Sequence, residues 1–244
     1  MYKVWILYGF LSLFVGCTAP IQQPEPMETE AKSELDGIWV GSFDIRGRGP
    51  YDFHAIHVGD RSTAMSYKAK AMCVGQVQLD DIYYYAKYNL YALDGSPFDY
   101  ATITGELKNG HINSHFVTLN GGDTGLLEMT YSPLYEQPSS LALVEGDWNF
   151  IDRDGLEVSI SINNGEINGA DSDSCKYIGR IEVINPRYNA YNVILNISNC
   201  DSVNGEYEGL SYIDNNENTI LRLDIGNNAY GFHFDFALNA NQET

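Results

Sequence analysis

A chain of 244 residues with 14 basic and 33 acidic side chains, net charge −19, repels phosphate backbones and anionic head groups. That balance excludes nucleic acid as a partner. The 23 glycines, the 18 tyrosines and the lack of a recurring 3.6-residue period beyond the N-terminus point to an all-β class, with length for one large domain or two small ones.

At the N-terminus Lys3 precedes an apolar run, residues 4–15, too short to span a bilayer comfortably. The run ends Leu13-Phe14-Val15-Gly16-Cys17, which resembles a bacterial lipoprotein lipobox. The resemblance implies that residues 1–16 are a signal peptide and that Cys17 becomes the lipidated first residue of the mature chain. Thr18 follows where an inner-membrane lipoprotein carries Asp, so the family's sorting rule implies the outer membrane, facing the periplasm. Residues 17–34 are rich in Pro and Glu and read as an unpacked tether that lets a lipid-anchored domain stand clear of the membrane.

Residues 35–133 form a first repeat, with strands expected at 38–46, 52–58, 63–67, 71–79, 82–93, 99–108, 111–119 and 125–132. Between them lie turn formers: Gly47-Arg48-Gly49-Pro50, Gly59-Asp60, Asp94-Gly95-Ser96-Pro97, Asn109-Gly110 and Asn120-Gly121-Gly122-Asp123. A linker follows at 134–142, where Pro138 rules out a continuous strand.

The second repeat, 143–244, alternates more strictly. Leu156, Val158, Ile160 and Ile162 share one face, and Tyr230, Phe232, Phe234, Phe236 and Leu238 share another. Eight strands are expected, at 147–152, 156–163, 166–170, 176–184, 191–198, 205–213, 219–226 and 229–238. Eight sequential antiparallel strands close into an up-and-down barrel, so the expected fold is two tandem meander barrels. Gly146-Asp147-Trp148, and Gly37-Ile38-Trp39 in the first repeat, resemble the Gly-x-Trp opening of the calycin families, the lipocalins and avidins. The whole is also similar to two-repeat lipoproteins of proteobacteria, through Ser174-Cys175-Lys176-Tyr177-Ile178-Gly179 and Tyr207-Glu208-Gly209-Leu210. That resemblance brings no activity with it.

Among the cysteines, Cys175 begins the fourth strand of the second repeat and Cys200 closes the fifth. Antiparallel neighbours bring those ends together, so these two are expected to be bonded and Cys73 free. Turns after alternate strands share one barrel end, which gathers Asp152, Asp154, Asp171, Asp173 and Asp201. Calcium accepts such oxygens, although the same residues are what tight turns use. No other cofactor is implied. His111 and His115 lie about 13 Å apart along one strand, and His54 and His57 point to opposite faces, so zinc is not expected.

The run 83–91 holds Tyr83, Tyr85, Tyr88 and Tyr91, and whichever face turns inward leaves tyrosines outside for a ligand or partner. Packing across strands and between repeats is the competing use of the same rings. There is no Gly-x-Ser-x-Gly, His-Glu-x-x-His or P-loop pattern. The leading expectation is a non-enzymatic envelope lipoprotein that acts as a binding or scaffolding module for a protein partner. The alternative is a lipocalin-like carrier holding a small apolar ligand in the first repeat. A third reading is a hydrolase of envelope polymers.

Overall fold

The computed structural model describes residues 32–215 and 219–239. The signal segment, Cys17 and the tether up to residue 31 lie outside the described residues.

Two closed antiparallel barrels of eight consecutive strands make up the fold. The first comprises β1 (Gly37–Ile45), β2 (Arg48–Val58), β3 (Arg61–Ser66), β4 (Ala71–Asp80), β5 (Tyr83–Ala92), β6 (Pro97–Lys108), β7 (His111–Thr118) and β8 (Thr124–Ser132). Closure comes from β1 pairing with β8, Ile38 opposite Ser132 through Phe43 opposite Leu127. The second comprises β9 (Gly146–Ile151), β10 (Glu157–Asn163), β11 (Glu166–Asp171), β12 (Lys176–Val183), β13 (Tyr191–Ser198), β14 (Gly205–Asp214), β15 (Ile220–Gly226) and β16 (Gly231–Leu238). There β16 closes on β9 at Ala237–Asn149 and Leu238–Trp148. Two short 3₁₀ turns, Pro133–Glu136 and Leu141–Leu143, connect the barrels.

The period-2 pattern explains the strands. In β7, Ile112, Ser114, Phe116 and Thr118 are buried while His111, Asn113, His115 and Val117 are exposed. Asn109-Gly110 and Asn164-Gly165 adopt positive φ at both positions (53° and 73°, 48° and 82°), as a two-residue hairpin demands. The sequence reading placed Gly47 to Pro50 wholly in a turn. Instead Arg46 and Gly47 make the turn, and β2 starts at Arg48. Pro50, which cannot donate to a ladder, sits beside the register shift between Phe43 and Ile45.

Each barrel is plugged by the Trp of its Gly-x-Trp. Trp39 Nε1 donates to the Leu35 carbonyl at 3.0 Å, and Trp148 Nε1 donates to the Val144 carbonyl at 2.8 Å. The same four-residue step in both repeats satisfies an indole donor that burial would otherwise strand.

The interiors differ. In the second barrel Phe234 stacks near Phe236 (centroids 5.2 Å) and meets Phe150 and Tyr177 edge-on, so rings occupy the middle. In the first barrel the inward positions of β2, β3, β5 and β6 carry Ala55, Ala64, Ala86 and Ala101. Short side chains across four neighbouring or facing strands leave space that branched side chains would fill.

The barrels pack through β3, β4 and β5 of the first and β14, β15 and β16 of the second. An apolar cluster between them includes Ile38, Ile56, Tyr135, Leu210 and Tyr212. Buried Asn189 holds the connection in place: its amide donates to the carbonyls of Leu134 and Ile213, and its oxygen accepts from the Ile213 amide. On the far side Gly231 N–H donates to the Gly95 carbonyl at 3.1 Å, and the Tyr91 hydroxyl donates to the Asn227 carbonyl at 2.6 Å.

Candidate functional site: a cavity in the first barrel

The alanine positions open a cavity of about 200 Å³ inside the first barrel. Its walls are Ala55, Ala64 and Ala101 together with Phe43, Phe53, Phe116, Leu127 and Met129. Phe98, half exposed, stands at the mouth with Thr118 and Asp123. The lining is therefore apolar with few polar groups, the usual character of a small-molecule site. Its size decides what could enter. A dry cavity of about 150 Å³ accommodates benzene, whereas drug-sized ligands need about 300 Å³ or more. A molecule somewhat larger than benzene fits; a long acyl chain does not.

The polar groups of the lining are His57, Tyr84 and Tyr88, which lie together, with Ser66, Thr118 and Asp123. Ser62 Oγ lies 2.7 Å from His57 Nδ1 and 2.6 Å from the Tyr88 hydroxyl, which joins β2, β3 and β5. His57 Nε2 is buried and has no hydrogen-bond partner, and the buried Tyr84 hydroxyl has only the Tyr88 hydroxyl within reach. The His57 and Tyr84 rings lie stacked with centroids 6.1 Å apart, and Trp39 lies 5.9 Å from His57 on its other flank. Burial lowers the His57 pKa to about 4, so the ring is neutral at pH 7. Burial raises the Tyr84 pKa, with Tyr88 adding to the rise, and the phenol keeps its proton. Native interiors pair most buried polar atoms, so an orphaned nitrogen beside a cavity calls for a partner that enters it. Cys73 also lines the cavity, and burial pushes its thiol up to about 12, which removes it as a nucleophile at neutral pH.

The four tyrosines singled out from the sequence separate. Tyr83 and Tyr85 face outward and are exposed. Tyr88 does not belong with them: strand parity turns it into the barrel with Tyr84, where its hydroxyl serves Ser62. Tyr91 shares the outward parity of Tyr83 but is covered by the second barrel, against Gly231 and the Asn227 carbonyl. They are not one contact surface. His57, weighed from the sequence only against zinc, and Ala55, Ala64 and Ala101 were not expected in a cavity wall. The available signal was small residues at inward positions, which alternation alone marks as ordinary core.

The disulfide joins Cys175 to Cys200, with Cα atoms 5.0 Å apart, and Cys73 is free. At the same barrel end the carboxylates serve the turns. Asp152 Oδ1 accepts from the amides of Asp154 and Leu156, and Asp171 Oδ1 accepts from those of Asp173 and Cys175. Asp171 Oδ2 accepts from the Tyr177 hydroxyl at 2.8 Å. Asp171 lies close to Cys175 and Cys200, but both sulfurs are committed to the disulfide. Among the described residues, Asp152, Asp154, Asp173 and Asp201 enter no group of three donor atoms close enough to share an ion.

A second polar assembly occupies the junction of the barrels. His233 Nδ1 lies 2.6 Å from Asp224 Oδ1, and His233 Nε2 lies 2.7 Å from the Tyr67 hydroxyl and 3.2 Å from Asp235 Oδ1. Asp224 Oδ2 accepts from Thr63 of the first barrel at 3.0 Å. Arg222 binds Asp235 with two bonds of 3.0 Å and also contacts Asp214. Burial alone would lower the His233 pKa, yet Asp224 and Asp235 raise it to about 9. His54, on β2, is driven the other way, to about 4, by burial and then by the charge of His233.

No protein-family model, curated protein or solved structure matches this chain. The calycin and lipoprotein resemblances therefore stand on the quoted residues, and function is argued from the site.

Proposed function

We propose that the protein is a non-enzymatic binding module of the cell envelope, anchored through Cys17, whose first barrel holds one small and mainly apolar molecule. The observation that carries this reading is the alanine-walled cavity with an unpartnered polar atom, His57 Nε2, and the Tyr84 phenol among its lining residues. The ligand's apolar body lies against Phe43, Phe116, Leu127 and Met129, and a single polar end meets the imidazole and phenol. Binding rather than turnover is supported by the Cys73 thiol, which burial pushes up to about 12, and by the protonated Tyr88 phenol.

Calorimetric titration with p-cresol and with toluene tests the reading. Both rings fit the volume, and only p-cresol has a hydroxyl to offer. A net hydrogen bond contributes about 0.5–1.5 kcal/mol, so p-cresol binds roughly threefold to tenfold more tightly than toluene. Ala101→Leu, which fills the space, removes binding of both. Failure of either ring to bind at millimolar concentration, or equal binding by Ala101→Leu, overturns the reading.

The scaffolding reading draws on a different feature, the outward face of β5 and β6, where Tyr83, Tyr85 and Tyr100 are exposed. Such rings suit contact with a protein or a polymer surface. It is tested by whether Tyr83→Ser/Tyr100→Ser abolishes capture of an envelope partner while leaving p-cresol binding intact.

A further inference from the structure

We propose that His54, Asp224 and His233 form a divalent-cation site between the barrels, with zinc as the ion that the donor set fits. One imidazole nitrogen from each histidine and one oxygen of Asp224 lie within 4.8 Å of one another. Two nitrogens and a carboxylate oxygen are a donor set that zinc accepts, and a fourth position can be taken by water or a neighbouring oxygen. Tyr67 and Asp235 meet the other ring nitrogen of His233, Nε2, and hold the ring in its orientation.

His54 supplies an independent observation. Its ring sits 5.5 Å from that of His233, centroid to centroid, and its Nε2 is buried without a hydrogen-bond partner. A neutral imidazole has one nitrogen that can only accept, and a buried one without a donor is costly unless something electropositive approaches it. Charge points the same way. Three carboxylates, Asp214, Asp224 and Asp235, face two cationic groups, Arg222 and His233. A divalent cation bound in exchange for the His233 proton makes good the remaining deficit of one positive charge.

The ligands come from both barrels: His54 from β2 of the first, Asp224 and His233 from β15 and β16 of the second. An ion here cross-links the repeats. His233 is the one histidine of the second repeat in the sequence, and its pairing with His54 exists only after the barrels dock. Thr63 on Asp224 and Arg222 on Asp235 hold the carboxylates in place, as outer partners of a metal site do.

The test uses the full chain, stripped with EDTA, dialysed against micromolar Zn²⁺ and assayed for bound metal and for thermal unfolding. The wild type retains one zinc per chain and unfolds at a higher temperature with zinc than with EDTA. His54→Gln binds at least tenfold more weakly and loses the zinc-dependent rise. His54 Nε2 makes no hydrogen bond, so the variant in EDTA unfolds close to the wild type in EDTA. Absence of stoichiometric zinc, or retention unchanged by His54→Gln, overturns the proposal. If the variant does not fold, Co²⁺ added to the wild type decides: paramagnetic shifts at the His54 and His233 imidazoles support the site, and shifts confined to other residues refute it.

Discussion

The neutral His57 at the cavity makes a prediction about acid stability. Its pKa is lowered from 6.5 to about 4 by burial, so folding holds the ring in its uncharged form. A depressed base favours folding above its unfolded pKa, and that stability is lost as the pH falls from 6.5 through 4. Linkage between these two values gives a loss of about 2 kcal/mol on going from about pH 7 to about pH 5, because the unfolded imidazole gains its proton and the folded one does not. His54, likewise lowered to about 4, contributes a similar loss, and the carboxylates add their own. The informative quantity is therefore a difference of differences. Urea unfolding followed by tryptophan fluorescence is measured at both pH values for the wild type and for His57→Gln. The glutamine keeps a polar group near Ser62 but does not titrate. The variant should lose about 2 kcal/mol less stability than the wild type between the two pH values, whatever its absolute stability. Equal losses would refute the reasoning, since they would mean that His57 is hydrated or paired when folded and that the cavity wall is not dry.

Tyr84→Phe removes a buried hydroxyl whose one neighbour, Tyr88, is already bonded to Ser62. It should stabilise the free protein by about 1 kcal/mol, seen as a rise of about 2–4 °C in the unfolding midpoint, and should narrow the gap between p-cresol and toluene binding. Cys200→Ser opens the loop closed across a separation of 25 residues. The expected loss is about 3.5 kcal/mol by the chain-entropy relation, read from the urea midpoint under non-reducing conditions. Gly95 has a φ of +84°, and a Cβ there would stand 2.4 Å from Phe232 Cε1 of the second barrel. Gly95→Ala should cost about 2 kcal/mol or more through strain and displacement of that ring, and should leave the Cys175–Cys200 bond intact in a peptide map.

The sequence was readable wherever one strand could be judged by itself. Leu156 to Ile162 and Tyr230 to Leu238 announce a buried face by alternation, and they form strands of the second barrel. The Cys175–Cys200 bond was readable because it needs only adjacent strand ends. Legibility stopped where meaning depends on parity or on docking. Tyr83 and Tyr84 are chemically alike, and only the barrel decides that the second goes inside. Tyr91 is outward by parity yet buried by the other repeat. His54 and His233 are 179 positions apart in sequence and in different barrels, so no local spacing rule could join them. The cavity is a collective property of small residues on strands that meet only when the barrel closes.

The most direct test of the account is to locate a bound ring by NMR. Methyl resonances of alanine, methionine and leucine are recorded while p-cresol is added to the 13C-labelled protein. The account predicts saturable shifts at Ala55, Ala64, Ala101, Leu127 and Met129, with the methyls of the second barrel unmoved. Shifts centred on the second barrel or spread over the exposed face of β5 and β6, or no saturable shift at all, would contradict it.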